Sequence, residues 1–331
     1  MQMNIKKMTG WVCIGLIALA ACSKKSNLQP DDDEGTGVIR TPLPFDQLPQ
    51  RSETLQVGPT ESYVNVMGTQ RPGLPDFRKL SAKPGTLRGY VKDVFGRPVA
   101  EAEIGVRSSL VGGAYTTALG RSAADGYYEI AVPMGTADVF KAVSTIDYHI
   151  GHAPVSLFPA DSSLSHFQST DGAVEDFVLV PYGQRHRDAV AEQPWLSFNY
   201  LGGSIHLSYT IRTQSLPLPG SIPIGAEIMV TLVPEALFHA DEKISFTVRK
   251  VVENNGFYIL NIPVGTYSVH AQLADGTGLD LEESINLKPA FGMNPKKTNG
   301  QAQVTFIPGP NSVMPWYGNW ETVPINVSIP E

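Results

Sequence analysis

The chain contains very little cysteine. Among its 331 residues there are two cysteines, Cys13 and Cys22, and both lie near the N-terminus. The chain beyond Cys22 has no thiol, which excludes a disulfide framework, a cysteine-ligated zinc site and a cysteine nucleophile there. Charge is also sparse, since Asp, Glu, Lys and Arg make up 17% of the residues and the net charge is −7. We expect no nucleic-acid partner for an acidic chain of this kind.

A long hydrophobic run is absent as well. The most apolar segment, 11–21, is about half the roughly 20 residues that a membrane-spanning helix needs. It follows two lysines and suits the apolar part of a signal peptide. Its end, Leu19-Ala20-Ala21-Cys22, resembles the lipobox of bacterial lipoproteins. The resemblance implies a signal peptide 1–21, acylation of Cys22 and anchoring to the outer membrane by the N-terminal lipid. The alternative is an ordinary secretory signal that happens to precede a cysteine.

Residues 22–83 are predicted to be a flexible, proline-rich linker. Prolines recur among Gln, Ser, Thr and Asp, and only the segment 62–67 alternates like a strand. The acidic run at 31–34 resembles the surface-export signals of some Gram-negative outer-membrane lipoproteins, which would expose the protein on the cell surface. A solvated charge run in a tether explains the same residues equally well.

No segment after residue 84 sustains helical periodicity over three turns. Short alternating runs rich in β-branched and aromatic residues recur instead, separated by Gly, Pro, Asn and Asp. The clearest runs are 87–93, 102–108, 127–133, 138–144, 175–181, 204–211, 226–233, 244–252, 257–263, 266–273, 302–307 and 324–330. This pattern predicts an all-β protein with two tandem antiparallel β-sandwiches after the signal peptide and the tether.

One phrase occurs twice in the predicted body. The sequence at 124–136 is ADGYYEIAVPMGT, and the sequence at 254–266 is NNGFYILNIPVGT. Asp-Gly or Asn-Gly favours a tight turn, and the later Pro and Gly end one strand and begin the next, so we interpret the phrase as a β-hairpin. Its recurrence predicts one sandwich at 84–183 and a second at 184–331. Chance similarity between two β-rich segments is the alternative.

The first sandwich carries a family resemblance. Gly89-Tyr90-Val91-Lys92-Asp93, then Gly96-Arg97-Pro98-Val99, Ala102-Glu103-Ile104-Gly105-Val106 and Asp125-Gly126-Tyr127-Tyr128 follow one another. Residues 84–183 thereby resemble the carboxypeptidase regulatory-like domain. That resemblance implies a seven-stranded sandwich of the prealbumin (transthyretin) type. The second half lacks the opening phrase and is interpreted as a divergent copy.

Motifs for catalysis and cofactor binding are missing. The chain has no Gly-x-Ser-x-Gly elbow, no P-loop and no dinucleotide fingerprint, so we predict no cofactor and no enzyme activity. His239 and Glu242 have zinc-like spacing but follow a predicted strand without a catalytic domain around them. His149 and His152 lack a carboxylate partner in their pattern, and the acids of 275–283 do not match a calcium loop. We therefore predict no metal site.

An aromatic run near the C-terminus is the best candidate for ligand binding. A predicted loop carries Trp316, Tyr317 and Trp320, and Trp195 is a further candidate for the same site. Exposed, these rings would form a stacking surface for sugars or a contact site for a protein. Buried, they would fill the end of a sandwich or the interface between the two, as large aromatics commonly do.

The sequence thus predicts a non-enzymatic lipoprotein of the cell envelope. Its expected role is a binding or structural module for a glycan or an envelope protein. One alternative is a fimbrial subunit or anchor of the fimbrillin type, which also pairs two such sandwiches behind a lipobox. Another is an accessory component of a hydrolase system. Fold alone does not choose among them.

Overall fold

The computed structural model describes residues 37–109, 113–213, 218–285, 288–310 and 314–331. The predicted signal peptide and Cys22 lie outside the described residues. All of the described residues belong to one unit. No helix in the described part of the chain is long and apolar enough to cross a membrane.

The all-β prediction is confirmed. The only α-helix in the described ranges is α1 (Arg187–Glu192), and two short 3-10 turns lie at Phe45–Gln47 and Ser197–Asn199. Two strands precede the first sandwich, β1 (Gln50–Val57) and β2 (Tyr63–Asn65). All other strands belong to two successive sandwiches or to short pairs beside them.

The first sandwich consists of two five-stranded sheets. Its strands are β3 (Thr86–Asp93), β4 (Glu103–Ser109), β5 (Tyr115–Arg121), β6 (Tyr127–Ala131), β7 (Thr136–Tyr148), β8 (Gly151–Ser156), β9 (Phe158–Pro159), β10 (Phe167–Gln168), β11 (Ala173–Val174) and β12 (Phe177–Leu179). One sheet has the order β10-β7-β4-β5 with β8 on β7, and the other has β11-β3-β12-β9 with β6 on β3. Alternate residues such as Ile104, Val106, Tyr128 and Phe177 are fully buried between the sheets.

The second sandwich has two six-stranded sheets. Its strands and the short pairs beside it are β13 (Gly203–Ser208), β14 (Ile211–Arg212), β15 (Ile222–Pro223), β16 (Glu227–Leu237), β17 (Lys243–Val251), β18 (Gly256–Ile262), β19 (Gly265–Leu273), β20 (Asp280–Glu283), β21 (Gly292–Asn294), β22 (Lys297–Asn299), β23 (Gln301–Thr305), β24 (Ile307–Pro308), β25 (Trp320–Glu321) and β26 (Val323–Ser328). The sheet orders are β1-β17-β16-β19-β23-β21 and β2-β18-β13-β26-β20-β22.

The two sandwiches share a strand arrangement. β3 pairs antiparallel with β6 and parallel with β12, and β13 pairs in the same ways with β18 and β26. β4 lies between β5 and β7, just as β16 lies between β17 and β19. Several pairs are parallel, so the sheets are mixed rather than purely antiparallel.

The repeated phrase connects two sheets in each copy. β6 lies beside β3, whereas β7 lies beside β4 in the facing sheet, and β18 and β19 are divided in the same way. The prediction of a hairpin was therefore wrong, because the chain passes from one sheet to the facing sheet at Pro133-Met134-Gly135 instead of turning back beside itself. A turn signal in the sequence shows that the chain changes direction, but it does not determine which sheet receives the next strand.

The described part of the predicted linker, 37–83, differs from a free tether. β1 runs parallel to β17, from Gln50 opposite Lys243 to Val57 opposite Lys250, and β2 runs parallel to β18. The same segment reaches the first sandwich, where the Arg40 amide donates to the Phe95 carbonyl at 2.7 Å. β1 was missed because an edge strand with one face in water carries polar residues at alternate positions, and its partner lies far away in sequence.

A buried lysine secures this N-terminal segment. Lys250 on β17 is fully buried, and its Nζ donates to the carbonyls of Gly58 (2.7 Å), Pro59 (2.6 Å) and Glu61 (2.9 Å). The ammonium thus has three partners, which offset the cost of removing its charge from water. The connection between β1 and β2 is fixed to the second sandwich by these bonds.

We expect Lys250→Met to lower the free energy of unfolding by about 3 kcal/mol, because the variant loses the buried ammonium that donates to three carbonyls. Urea unfolding of the variant would measure the loss, and limited proteolysis should show earlier cleavage within 58–61. The matched control is Lys297→Met, because the Lys297 side chain is 71% exposed in its ion pair with Glu282. Equal stabilities of the two variants would contradict the role assigned to Lys250.

Candidate functional site

The aromatic run lies at the junction of the two sandwiches. Trp316 is 7% exposed. Its amide donates to the Leu157 carbonyl of the first sandwich at 3.1 Å, and its ring meets Phe158 edge-on with centroids 5.8 Å apart. Its indole Nε1 donates to the Gln184 carbonyl at 3.3 Å, between the sandwiches in sequence. This ring fills the junction and offers little surface to a ligand.

Trp320 is buried in the same way, at 7% exposure. Its ring lies 4.9 Å from that of Tyr148, which ends β7 of the first sandwich. Tyr148 also stacks on Phe291 at 6.0 Å, and its hydroxyl donates to the buried Gly265 carbonyl at 3.1 Å. Burial raises the pKa of the Tyr148 hydroxyl, so it stays protonated and remains a donor. The sequence left open whether these rings are exposed for a ligand or buried between the sandwiches. Both tryptophans are buried between the sandwiches.

Tyr317 is the member of the run that reaches the surface, and it is half-buried. Its ring stacks on Phe198 with centroids 5.9 Å apart and an interplanar angle of 22°. The guanidinium carbon of Arg185 lies 3.4 Å from the Tyr317 ring centroid. Phe198 is 39% exposed. We call Arg185, Tyr317 and Phe198 the aromatic–arginine stack.

A glycine holds the stack in place. The Gly318 amide donates to the Phe198 carbonyl at 2.8 Å, and a Cβ at this position would lie 1.8 Å from the Tyr200 carbonyl oxygen. Only glycine permits so close an approach of the two backbones. The sequence analysis named Trp195, and not Phe198, as a further aromatic candidate for ligand binding. Trp195 is 46% exposed in the same segment, but Phe198 is the ring that stacks on Tyr317.

A cleft of about 390 Å³ opens beside the stack. Its walls come from both sandwiches and from the segment that joins them. The lining residues are Arg107, Asp138, Val139, Phe140, Ser163, Leu164, Ser165, Arg185, His186, Met314, Pro315, Trp316 and Tyr317. Sequence motifs do not reveal most of these residues, because the lining comes from five separate stretches of the chain.

The polar groups of the cleft differ in how they are paired. Arg107 on β4 faces Asp138 on β7, and its Nε lies 3.0 Å and 3.2 Å from the two carboxylate oxygens. The hydroxyls of Ser163 and Ser165 are 3.1 Å apart. Arg185 forms no ion pair with any residue that the structure describes, and burial lowers its pKa. An arginine at this depth still remains charged at neutral pH.

His186 contributes a donor to the cleft. Its Nδ1 accepts the Asp188 amide at 3.3 Å, where it caps α1, and its ring meets Trp316 edge-on at 5.5 Å. With Nδ1 accepting, the neutral imidazole carries its proton on Nε2. The cleft therefore presents a hydrogen-bond donor, two hydroxyls, an ion pair and a guanidinium beside aromatic rings.

The histidine strings do not assemble a metal site. Glu242 is bound by Arg51, with Nε and Nη2 at 2.7 Å and 3.0 Å from its oxygens. His239 stacks on Phe238, and its Nε2 lies 3.3 Å from the Arg97 guanidinium. Burial lowers the pKa of His239 to about 4. No group of three or more His, Cys, Asp or Glu in the described ranges is arranged to hold a metal ion.

The other candidates have local partners. His152 Nδ1 lies 2.9 Å from an Asp147 oxygen, and the exposed His149 ring lies 5.8 Å from that of Phe291. In the acidic loop, Asp275 accepts the Thr277 amide at 2.9 Å. Glu282 pairs with Lys297 at 2.9 Å in the following hairpin. These acids form turn and surface contacts.

Comparisons with known proteins give little further guidance. No protein-family model matches the chain, and no curated protein matches it. Among solved structures, the Bacillus anthracis TIE protein is similar at a TM-score of 0.27 and 13% identity, covering 75% of this chain and 34% of that one. A streptococcal ancillary pilin is similar at a TM-score of 0.21 and 9% identity, covering 74% and 62%. The chain thus spans about a third of the first and less than two thirds of the second.

We expect Trp320→Ala to lower the free energy of unfolding by about 4 kcal/mol, because it leaves a cavity between the sandwiches beside Tyr148. Chemical denaturation with tryptophan fluorescence would measure the change. Trp195→Ala is the matched control, since this ring is 46% exposed and should cost under about 1 kcal/mol. If the two variants lose equal stability, Trp320 is not an interface residue.

Proposed function

We propose that the protein is a non-enzymatic lipoprotein of the cell envelope that binds a glycan in the cleft between its sandwiches. The observation that carries the proposal is the aromatic–arginine stack at the edge of a cleft lined by hydrogen-bonding side chains. A sugar presents apolar C–H faces and a ring of hydroxyls, so a site for it needs an aromatic surface together with donors and acceptors. Phe198, which is 39% exposed, and the polar side chains of the neighbouring cleft offer both.

The position of the cleft supports the proposal. It is built from rigid sheet residues, such as Arg107 and Asp138, and from the junction loops that hold the stack. Binding residues commonly lie on loops that a rigid scaffold positions. Since the junction is packed by Trp316 and Trp320, the cleft is formed before a ligand arrives, which reduces the entropy that binding would cost.

The binding test uses the full chain in detergent micelles and a panel of neutral and acidic polysaccharides, measured by calorimetry. We expect Tyr317→Ala and Phe198→Ala each to weaken binding at least about tenfold, since each removes part of the stack. Ile224→Ala, at a side chain 56% exposed and outside the cleft lining, should leave binding unchanged. Absence of binding to every polysaccharide would contradict the proposed function.

The anchor is a separate part of the proposal. The lipobox-like Leu19-Ala20-Ala21-Cys22 supports acylation of Cys22, retention in the outer membrane and, with the acidic run after it, exposure at the cell surface. We expect Cys22→Ser to abolish incorporation of labelled palmitate and to release the protein from the membrane fraction. Cys13→Ser is the matched control, because it lies within the predicted signal peptide. Labelling of the Cys22→Ser variant would contradict lipidation at this residue.

A fimbrial subunit is the second candidate, and a different observation favours it. In the second sandwich β1 covers the outer edge of β17, whereas the equivalent β5 of the first sandwich has no outer neighbour among the described strands. A strand from another chain could add there through backbone hydrogen bonds. Sedimentation velocity over a range of concentrations would test this, and a monomer throughout would remove the candidate.

A further inference from the structure

The cleft carries an excess of positive charge in an acidic protein. The chain has a net charge of −7, yet two arginines line the cleft against a single carboxylate, that of Asp138. Charges that line a concave site attract ligands of the opposite sign more strongly than charges on an open surface do. The positive charge of the cleft therefore favours glycans that carry negative charge.

The two arginines are not equivalent. Arg107 is compensated by Asp138 on the neighbouring strand, at 3.0 Å and 3.2 Å. Arg185 has no ion pair among the described residues, although burial already removes part of its hydration. An arginine that has lost water without gaining a carboxylate gains most from an anionic ligand, since both partners of such a pair must be desolvated when it forms.

The contact with Tyr317 also restricts the position of the Arg185 donors. The guanidinium carbon lies 3.4 Å from the Tyr317 ring centroid. The N–H groups of a guanidinium lie in the plane of the group and project from its edges. Two parallel N–H groups match the two oxygens of a carboxylate, which makes a bidentate pair possible without further ordering of the side chain.

We propose that Arg185 recognises the carboxylate of an acidic sugar, so that the cleft selects uronic-acid glycans over neutral ones. The inference rests on the proposed glycan-binding function and adds the class of sugar to it. One uncompensated guanidinium matches one negative charge per bound sugar unit. A sulfate ester is the other monoanion that sugars carry, and the experiment separates the two.

The test compares ligands that differ only in charge. The full chain in detergent micelles is titrated with short oligogalacturonates and with the same oligomers after their carboxyl groups are reduced to alcohols. We expect the acidic oligomers to bind at least about tenfold more tightly, as a charge-assisted bidentate hydrogen bond implies. Arg185→Ala should remove this preference, so that the variant binds the acidic and the reduced oligomers equally. Arg185→Lys should restore only part of it, because an ammonium lacks the planar fork.

Arg121→Ala is the control for net charge, since Arg121 lies outside the cleft lining with its side chain 58% exposed. It should keep the full preference. Equal affinity for both oligomers would overturn the inference while leaving the glycan-binding function intact. Binding of neither would also overturn the inference, and the polysaccharide panel decides separately whether the glycan-binding function stands. Tighter binding of a sulfated oligomer, or equal competition by a glutamate peptide, would overturn the assignment of a sugar carboxylate.

Discussion

The packing of aromatic side chains between the two sandwiches determines the form of the candidate site. Tyr148 extends from the end of β7 into the second sandwich, where it contacts Trp320 and Phe291 and donates to the Gly265 carbonyl. Trp316 occupies the neighbouring part of the junction against Phe158. Because these rings fix one sandwich against the other, the backbone between them is fixed as well. Tyr317 is thereby directed outward, and the cleft opens at the place where the buried rings end.

The two copies of the sandwich have the same central strands but different surroundings. In the second copy the N-terminal segment adds β1 and β2 at two edges, and the buried Lys250 holds the connection between them. In the first copy the equivalent edges carry no such strands within the described ranges. In the second sandwich β1 therefore covers the edge at β17, whereas in the first sandwich β5 is an open edge among the described strands. The cleft is lined by β4 and β7 of the first sandwich.

Much of the architecture follows from the sequence, and the features that the sequence analysis did not predict have a common cause. Alternating runs such as those of β16 and β17 identify strands because one face of each is buried, and this pattern is local. The repeat predicts two similar bodies for the same reason. The crossing at Pro133-Met134-Gly135 and the pairing of β1 with β17 both depend on partners distant in sequence. A turn residue shows that the chain changes direction, and only the completed sheets decide which strand lies beside it.

The features of the candidate site also fall into those that the sequence determines and those that only the tertiary structure decides. The sequence by itself determined that an aromatic run, Trp316 to Trp320, contains a glycine, Gly318, and that no cysteine follows Cys22. Tertiary structure decided that both tryptophans are buried, that Phe198 is the stacking partner of Tyr317, and that Arg185 lies on that ring without an ion pair among the described residues. The physical reason is that burial and charge compensation are properties of neighbours in space, which five separate stretches of chain supply only after they fold together.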